Sequence, residues 1–324
     1  MRGMKAAIVG IGGPTLAPTE AALLRAHPPC GVILFARNIV EPAQLAALTA
    51  ELRRLLPPDA VLMVDQEGGR VARLRPPHWG AHPPAAALHS LRAAWLTGAL
   101  IGLDCAAAGF EVVAAPVLDL AHPGAHAVIG DRALAERPAV VAKLGRAFAA
   151  GLLAAGVQPV MKHAPGHGRA CVDSHLALPR VEAAELDADL LPFALNVDLP
   201  WAMSAHIVYP AWDAMLPATL SRTVIETIIR GRIGFGGVLV TDDLAMKALT
   251  GSPADLACRA LAAGCDIALY CAGEPAPTAE VLAHCPPLSE RAMSRLAAGR
   301  ALAARRQLAL DVAAFAAERD RLLA

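Results

Sequence analysis

Short apolar runs recur along the 324-residue chain, each followed by a longer stretch with apolar residues at helical spacing. The runs fall at residues 4–10, 31–35, 60–65, 111–117, 158–162, 201–205, 237–242 and 266–271. They are rich in Val, Ile, Leu and Ala and do not alternate with polar residues, which is the pattern of strands covered on both faces. The stretches between them predict helices near 18–26, 41–56, 87–108, 135–155, 182–194, 221–231, 252–263 and 276–284, and residues 288–322 add terminal helices. Eight strand–helix alternations with apolar strands predict an α/β fold, a closed (β/α)8 barrel of TIM type. A doubly wound open sheet is the competing arrangement. No G-x-G-x-x-G follows the first run, however, and no Walker A pattern occurs in the chain. No linker interrupts the pattern, and the Pro-rich pieces at 75–84 and 272–277 read as loops. Residues 1–324 are therefore expected to form a single domain, with extra helices at its C-terminal end.

Composition narrows the reading. The chain is 56% hydrophobic, ample for a large core. Its 29 basic and 29 acidic residues cancel, which gives no electrostatic case for nucleic acid or an anionic membrane. Seven cysteines at irregular spacing, with no CxxC pair, argue against a disulfide framework and for a reducing compartment. They are most simply buried small apolar side chains. The first residues look more like a strand than a signal peptide. The apolar stretch 138–161 carries Lys143 and Arg146 at helical spacing, unlike a membrane span. A cytoplasmic location is expected.

The polar residues concentrate in one segment, 162–179, which packs Lys162, His163, His167, Asp173 and His175 between Pro165, Gly166 and Gly168. Such a segment builds no core and reads as a loop that carries chemistry. Other polar residues close predicted strands: Asp65 the third, Asp242 the seventh, with Asp119 and Arg132 after the fourth and His206 after the sixth. In a parallel barrel all of these open on the C-terminal face, where barrel active sites lie. Asp242 is either a helix cap or a reactive carboxylate. Its neighbour Asp243 can take backbone amides and leave Asp242 facing the mouth, because adjacent residues in extended chain point oppositely. In Asp173-Ser-His175 a carboxylate that reaches the imidazole would favour its protonated form and make it a general acid and base; the plain alternative is a turn in which Asp173 caps amides. His163, His167 and His175, with Asp65 and Asp242, could also ligate a metal, but the spacing across Pro and Gly implies no defined geometry. In Asp65-Gln-Glu67-Gly-Gly-Arg70-Val-Ala-Arg73, Glu67 and Arg70 fit an ordinary surface ion-pair cluster, while Asp65, at a strand end, fits it less well. Trp79 and Trp212 are candidate aromatic platforms whose loops are undetermined.

The motifs GVILFARN (31–38), VDQEGGRVARL (64–74), APVLDL (115–120), IGDRAL (129–134), KHAPGHG (162–168), DSHLALP (173–179), SAHIVYP (204–210) and GFGGVLVTDDLAM (234–246) together resemble the bacterial β-N-acetylglucosaminidases (β-hexosaminidases) of glycoside hydrolase family 3, of the single-domain peptidoglycan-recycling kind. The resemblance implies a (β/α)8 barrel and a retaining exo-β-N-acetylglucosaminidase. Asp242 matches the nucleophile, His175 the acid/base and Asp173 its dyad partner. Asp65, Arg73, Arg132, Lys162 and His163 match positions that bind the N-acetylglucosamine unit. The substrate implied is a muropeptide-derived amino sugar, N-acetylglucosamine β-1,4-linked to 1,6-anhydro-N-acetylmuramic acid, with or without its peptide. No cofactor, nucleic acid or membrane is expected as a partner, and a monomer is expected. Ala164 stands where Phe is usual, and Arg169 where many relatives carry Asp. A metal-dependent barrel hydrolase and a non-catalytic sugar-binding protein are the competing readings. The latter would require that the nucleophile or the acid be lost, and both residues are present.

Overall fold

The computed structural model describes residues 3–174 and 176–324. The predicted apolar runs form eight parallel strands closed into a barrel. In chain order the strands are β1 (Lys5–Gly10), β2 (Pro29–Leu34), β3 (Val61–Val64), β4 (Val112–Val113), β5 (Gln158–Ala164) and β6 (Trp201–Ser204), an antiparallel hairpin β7 (Val208–Tyr209) and β8 (Asp213–Pro217), then β9 (Val238–Asp243) and β10 (Ile267–Tyr270). The barrel runs β1-β10-β9-β6-β5-β4-β3-β2, and the hairpin stands outside it. The crossover helices are α1 (Pro18–Ala26), α2 (Pro42–Leu55), α3 (Leu91–Ala107), α4 (Pro138–Ala154), α5 (Asp187–Ala194), a π-helix over Val224–Arg232, α6 (Pro253–Ala263) and α7 (Pro275–His284). Two more, α8 (Glu290–Arg306) and α9 (Val312–Leu323), follow the last crossover.

Each predicted element is present, and the differences lie at the ends. Strand β4 pairs over two residues rather than the expected 111–117, although Glu111, Ala114, Ala115 and Pro116 still exchange backbone hydrogen bonds with β3 and β5, and Val117 forms an isolated bridge to Lys162. Helix α3 begins at Leu91, where the Ser90 hydroxyl accepts from the Ala93 N–H, and residues 85–87 form a separate 3-10 turn. Pro275, placed in a loop by the sequence, opens α7, where a missing N–H does no harm. Of the seven cysteines, Cys171 is exposed and Cys258 partly so, against the expectation that all are buried.

Strand residues alternate between two cores. One set, including Ile8, Met63, Val112, Val160, Trp201, Val238, Val240 and Leu269, fills the barrel interior. Their neighbours Val9, Val64, Val113, Met161, Leu239 and Ala268 pack outward against the helices. The interior cluster is completed at the N-terminal end of the barrel by Leu288, Ala292 and Leu296, so α8 plugs the bottom. There the Trp201 indole N–H donates to Gln158 Oε1 at 3.0 Å. Helix α9 lies on α3, with Trp95 edge-on to Phe315 at 5.5 Å and Arg92 paired with Glu318. Among the described residues, no helix is long and apolar enough to cross a membrane.

If α8 belongs to the barrel core rather than to its surface, Leu296→Ala leaves a cavity at the plug. It is expected to destabilise the protein by about 2–5 kcal/mol in urea denaturation.

Candidate active site

The period of two that fills the barrel also builds its mouth. Val61 and Met63 point inward, and the next position of that parity is Asp65. Val160 is followed in the same way by Lys162, and Val238 and Val240 by Asp242. Three polar groups thus form the uppermost layer of the barrel interior. They line a cavity of about 450 Å³ whose floor includes Ile33, Ala114, Met203 and Leu269 and whose walls include Arg73, Arg132, His163, His167, Asp173 and Ser174. All the expected sugar-binding residues, with Asp242 and Asp173, therefore share one cavity. His175 lies outside the described residues. Trp79 and Trp212 do not line this cavity; Trp212 packs at 5.1 Å against Tyr209.

Asp242 Oδ1 accepts from the Asp243 N–H at 2.8 Å. Its second carboxylate oxygen takes no hydrogen bond from a protein donor among the described residues. Burial works to raise its pKa, but His163, His206, the Asp243 amide and Lys162 outweigh it and hold the carboxyl below its usual range. The nearby arginines, Arg73 and Arg132, are committed to other carboxylates. Asp243 has the opposite surroundings. Its Oδ1 accepts from the backbone N–H of Ala245 and of Cys271, each at 2.9 Å, and burial raises its pKa. Asp243 does take backbone amides, as the sequence suggested, but those of a turn and of the chain just past β10. The cap of α6 is Ser252.

Beside Asp242 runs a chain of alternating charges. Arg73 reaches Asp65 Oδ2 at 2.8 Å, and Lys162 Nζ reaches Asp65 Oδ1 at 2.7 Å and Glu67 Oε1 at 2.5 Å. Arg132 grips both oxygens of Glu67 at 2.8 Å through two N–H groups. Glu67 is therefore no surface ion-pair residue, as its sequence context suggested; only 6% of it is exposed. Burial opposes its charge, yet Lys162 and Arg132 bring its pKa down to about 2. Arg70 does lie at the surface, on Asp131 and the carbonyls of residues 127–129. The loop between Asp65 and Arg73 is pinned by buried Gln66, which accepts from the N–H groups of Arg73 and Leu74 and donates to Leu74 O. Its turn needs glycine at Gly68: φ is +101°, and a Cβ there would lie 2.3 Å from Pro83 O.

Asp119, 1% exposed, anchors the loop after β5. It accepts from His163 Nδ1 at 2.7 Å, from the His163 N–H at 3.1 Å and from the His167 N–H at 2.7 Å. Despite burial, the two histidines hold its pKa below the usual carboxylate range. Gly168 passes so close to the preceding loop that a Cβ would sit 2.1 Å from Leu120 O. His167 Nε2 meets Ser174 Oγ at 3.1 Å, while its Nδ1 is buried without a partner among the described residues. Burial, reinforced by His163, lowers the His167 pKa to about 4, so the ring is neutral near pH 7. His206 lies beneath the site, bonded to Thr219 Oγ1 at 2.8 Å and to Asp243 O at 3.0 Å, and burial lowers its pKa too. Arg169 pairs at 2.8 Å with buried Asp189, which also holds His122 at 3.0 Å. Among the described residues, no group of three His, Cys, Asp or Glu side chains is placed to hold a metal ion.

The model of the Glycosyl hydrolase family 3 N terminal domain matches residues 7–296. The chain belongs to glycoside hydrolase family 3. It is a β-N-acetylhexosaminidase and acts on a small carbohydrate substrate. A β-hexosaminidase of Methylococcus capsulatus is 42% identical over 283 residues, 83% of each chain. That of Alkalilimnicola ehrlichii is 41% identical over 308 residues, 89% of this chain and 87% of its own. The crystal structure of NagZ from Neisseria gonorrhoeae in complex with N-trifluoroacetyl-D-glucosamine superimposes with a TM-score of 0.88 at 31% identity, covering 100% of this chain and 99% of that one.

Three residues of this family 3 site escaped the sequence as functional groups. Glu67 looked like a surface acid beside Arg70, and only its inward position reveals its role. Asp119 was placed at the mouth without a role, and its three donors come from a segment more than 40 residues away. The hydroxyl of Ser174 passed unmarked between two more conspicuous neighbours.

Two outcomes are expected. Glu67→Ala leaves Lys162 and Arg132 without their buried carboxylate and should lower stability in urea by about 3–5 kcal/mol. His167 has a folded pKa of about 4 against an ordinary 6.5, so the unfolded chain takes up the proton first as pH falls. Its contribution is present above pH 6.5 and is lost between pH 6.5 and 4. His167→Phe should therefore show a shallower fall in Tm between pH 7 and 5 than wild type, with the His206 contribution, of the same sign, unchanged.

Proposed function

We propose that this family 3 enzyme is a retaining exo-β-N-acetylglucosaminidase that removes terminal N-acetylglucosamine from peptidoglycan fragments, above all from the β-1,4-linkage to 1,6-anhydro-N-acetylmuramic acid, in cytoplasmic cell-wall recycling. The observation that carries this reading is Asp242, a carboxylate on the cavity wall whose surroundings keep it ionised and whose second oxygen meets no protein donor among the described residues. A nucleophile needs both properties.

In the first step Asp242 attacks the anomeric carbon and forms a glycosyl ester as the glycosidic C–O bond breaks. His175, protonated and favoured in that form by Asp173, gives its proton to the leaving oxygen. In the second step neutral His175 takes a proton from water, water attacks the anomeric carbon, and Asp242 is released with the sugar in its original configuration. Asp65, Arg73, Arg132, Lys162 and His163 hold the non-reducing sugar. The cavity of about 450 Å³, closed below by apolar side chains, suits one terminal sugar unit rather than the interior of a chain. Lys162 and Arg73 each face Asp65, so that carboxylate presents itself to hydroxyl groups as an ionised acceptor.

The test is hydrolysis of p-nitrophenyl β-N-acetylglucosaminide and of the anhydro-muramyl disaccharide by wild type, Asp242→Ala and His175→Ala, with EDTA present. Wild type should cleave both. Asp242→Ala should lose nearly all activity on both. His175→Ala should lose far more on the disaccharide than on the nitrophenyl glycoside, whose leaving group needs little protonation. Retained activity in Asp242→Ala, or abolition by EDTA, would contradict the assignment.

A further inference from the structure

Ser174 stands between the two residues assigned to proton transfer, Asp173 and His175, and the structure ties it from two sides. Its hydroxyl meets His167 Nε2 at 3.1 Å, and its carbonyl accepts from the Ala248 N–H at 3.2 Å. Ala248 follows Asp242 by six residues, in the turn beyond β9. His167 is in turn fixed by the bond from its N–H to Asp119 and by the edge-on ring of His163, 5.5 Å away. Only 2% of Ser174 and of His167 is exposed. Because His167 Nδ1 is buried without a partner, Ser174 is the one hydrogen-bond partner of that imidazole among the described residues. The tautomer that donates Nε2–H to Ser174 Oγ leaves only a lone pair unpartnered at Nδ1. The alternative would bury an unpaired N–H, which is costlier.

We propose that His167 and Ser174 form a latch that positions the proton-transfer segment over the cavity, making both of them positioning residues for the acid step. The inference rests on the assignment of His175 as acid/base. The chain is anchored at Ser174, the residue immediately before His175, to the cavity wall through His167, itself held by Asp119, and to the turn beyond the nucleophile's strand through Ala248. The Asp242 side and the proton-donating side of the sugar are thereby held in one frame. Misplacing a proton donor by a fraction of an ångström weakens proton transfer while leaving the sugar pocket as it was.

This makes the latch separable from general damage by its dependence on the leaving group. The measurement is kcat/KM for 2,4-dinitrophenyl β-N-acetylglucosaminide, which needs no proton on departure, and for N,N′-diacetylchitobiose, which does. Ser174→Ala and His167→Phe should each lose less than about threefold on the first and about 30-fold or more on the second, part of the 10²–10⁴-fold that acid catalysis supplies. His167→Gln, which keeps an N–H donor, should recover most of the loss. His175→Ala serves as the reference. If its loss is strongly leaving-group dependent while that of Ser174→Ala is equal on both substrates, or absent, the latch is overturned and the acid assignment stands. If His175→Ala itself shows no leaving-group dependence, the acid assignment fails and the latch fails with it.

Discussion

A carboxylate at the top of an apolar barrel stays charged only if hydrogen-bond donors and favourable electrostatic partners face it. Met203, Leu269 and Ala114 lie on the cavity floor, and burial alone would drive Asp242 toward its neutral acid. His163, His206 and Lys162 reverse that outcome. Much of the rest of the site serves this balance. Lys162 can stand beside Asp242 because Asp65 and Glu67 hold its ammonium charged at 2.7 and 2.5 Å. Glu67 can be buried because Arg132 closes on both of its oxygens. Asp119 fixes the His163 ring by accepting from its Nδ1, which sets the tautomer.

The same accounting separates two adjacent aspartates. Asp242 and Asp243 share a strand end and differ only in parity. One faces inward to Lys162, two imidazoles and a cavity, and its pKa falls. The other faces the neighbouring strand, binds two backbone amides, and its pKa rises with burial. A one-residue change of register would exchange their surroundings. The barrel's alternation, completed below by α8, therefore decides which carboxyl is available for chemistry.

Most of the fold was legible in the sequence because closure of a parallel barrel leaves its signature in every strand: a short run of Val, Ile and Leu without polar interruption, then a helix. What could not be read was local. Regular pairing at β4 covers only Val112–Val113, and α3 starts at Leu91 behind its Ser90 cap, because local geometry decides such boundaries. In the site, residues at strand ends such as Asp65, Lys162 and Asp242 were visible because they break an apolar run. Glu67 was not, because its sequence neighbours are polar and its partners, Lys162 and Arg132, are 95 and 65 residues away. Asp119 was hidden for the same reason, its donors lying on β5 and the turn after it, and Ser174 because its partner His167, seven residues away in the same loop, is brought to it only by the fold. The substitution of Arg169 proved to be a local exchange, with the guanidinium pairing to Asp189 outside the cavity.

The central claim is that Asp242 attacks the sugar. It is tested most directly by incubating the enzyme with 5-fluoro-N-acetyl-β-D-glucosaminyl fluoride, which slows release of a glycosyl ester, followed by peptide mapping of the labelled protein by mass spectrometry. The account predicts one added sugar, carried by the peptide that contains Asp242 and absent from Asp242→Ala. A label on another residue, or turnover of the fluoride through an intermediate that never becomes covalent, would contradict it.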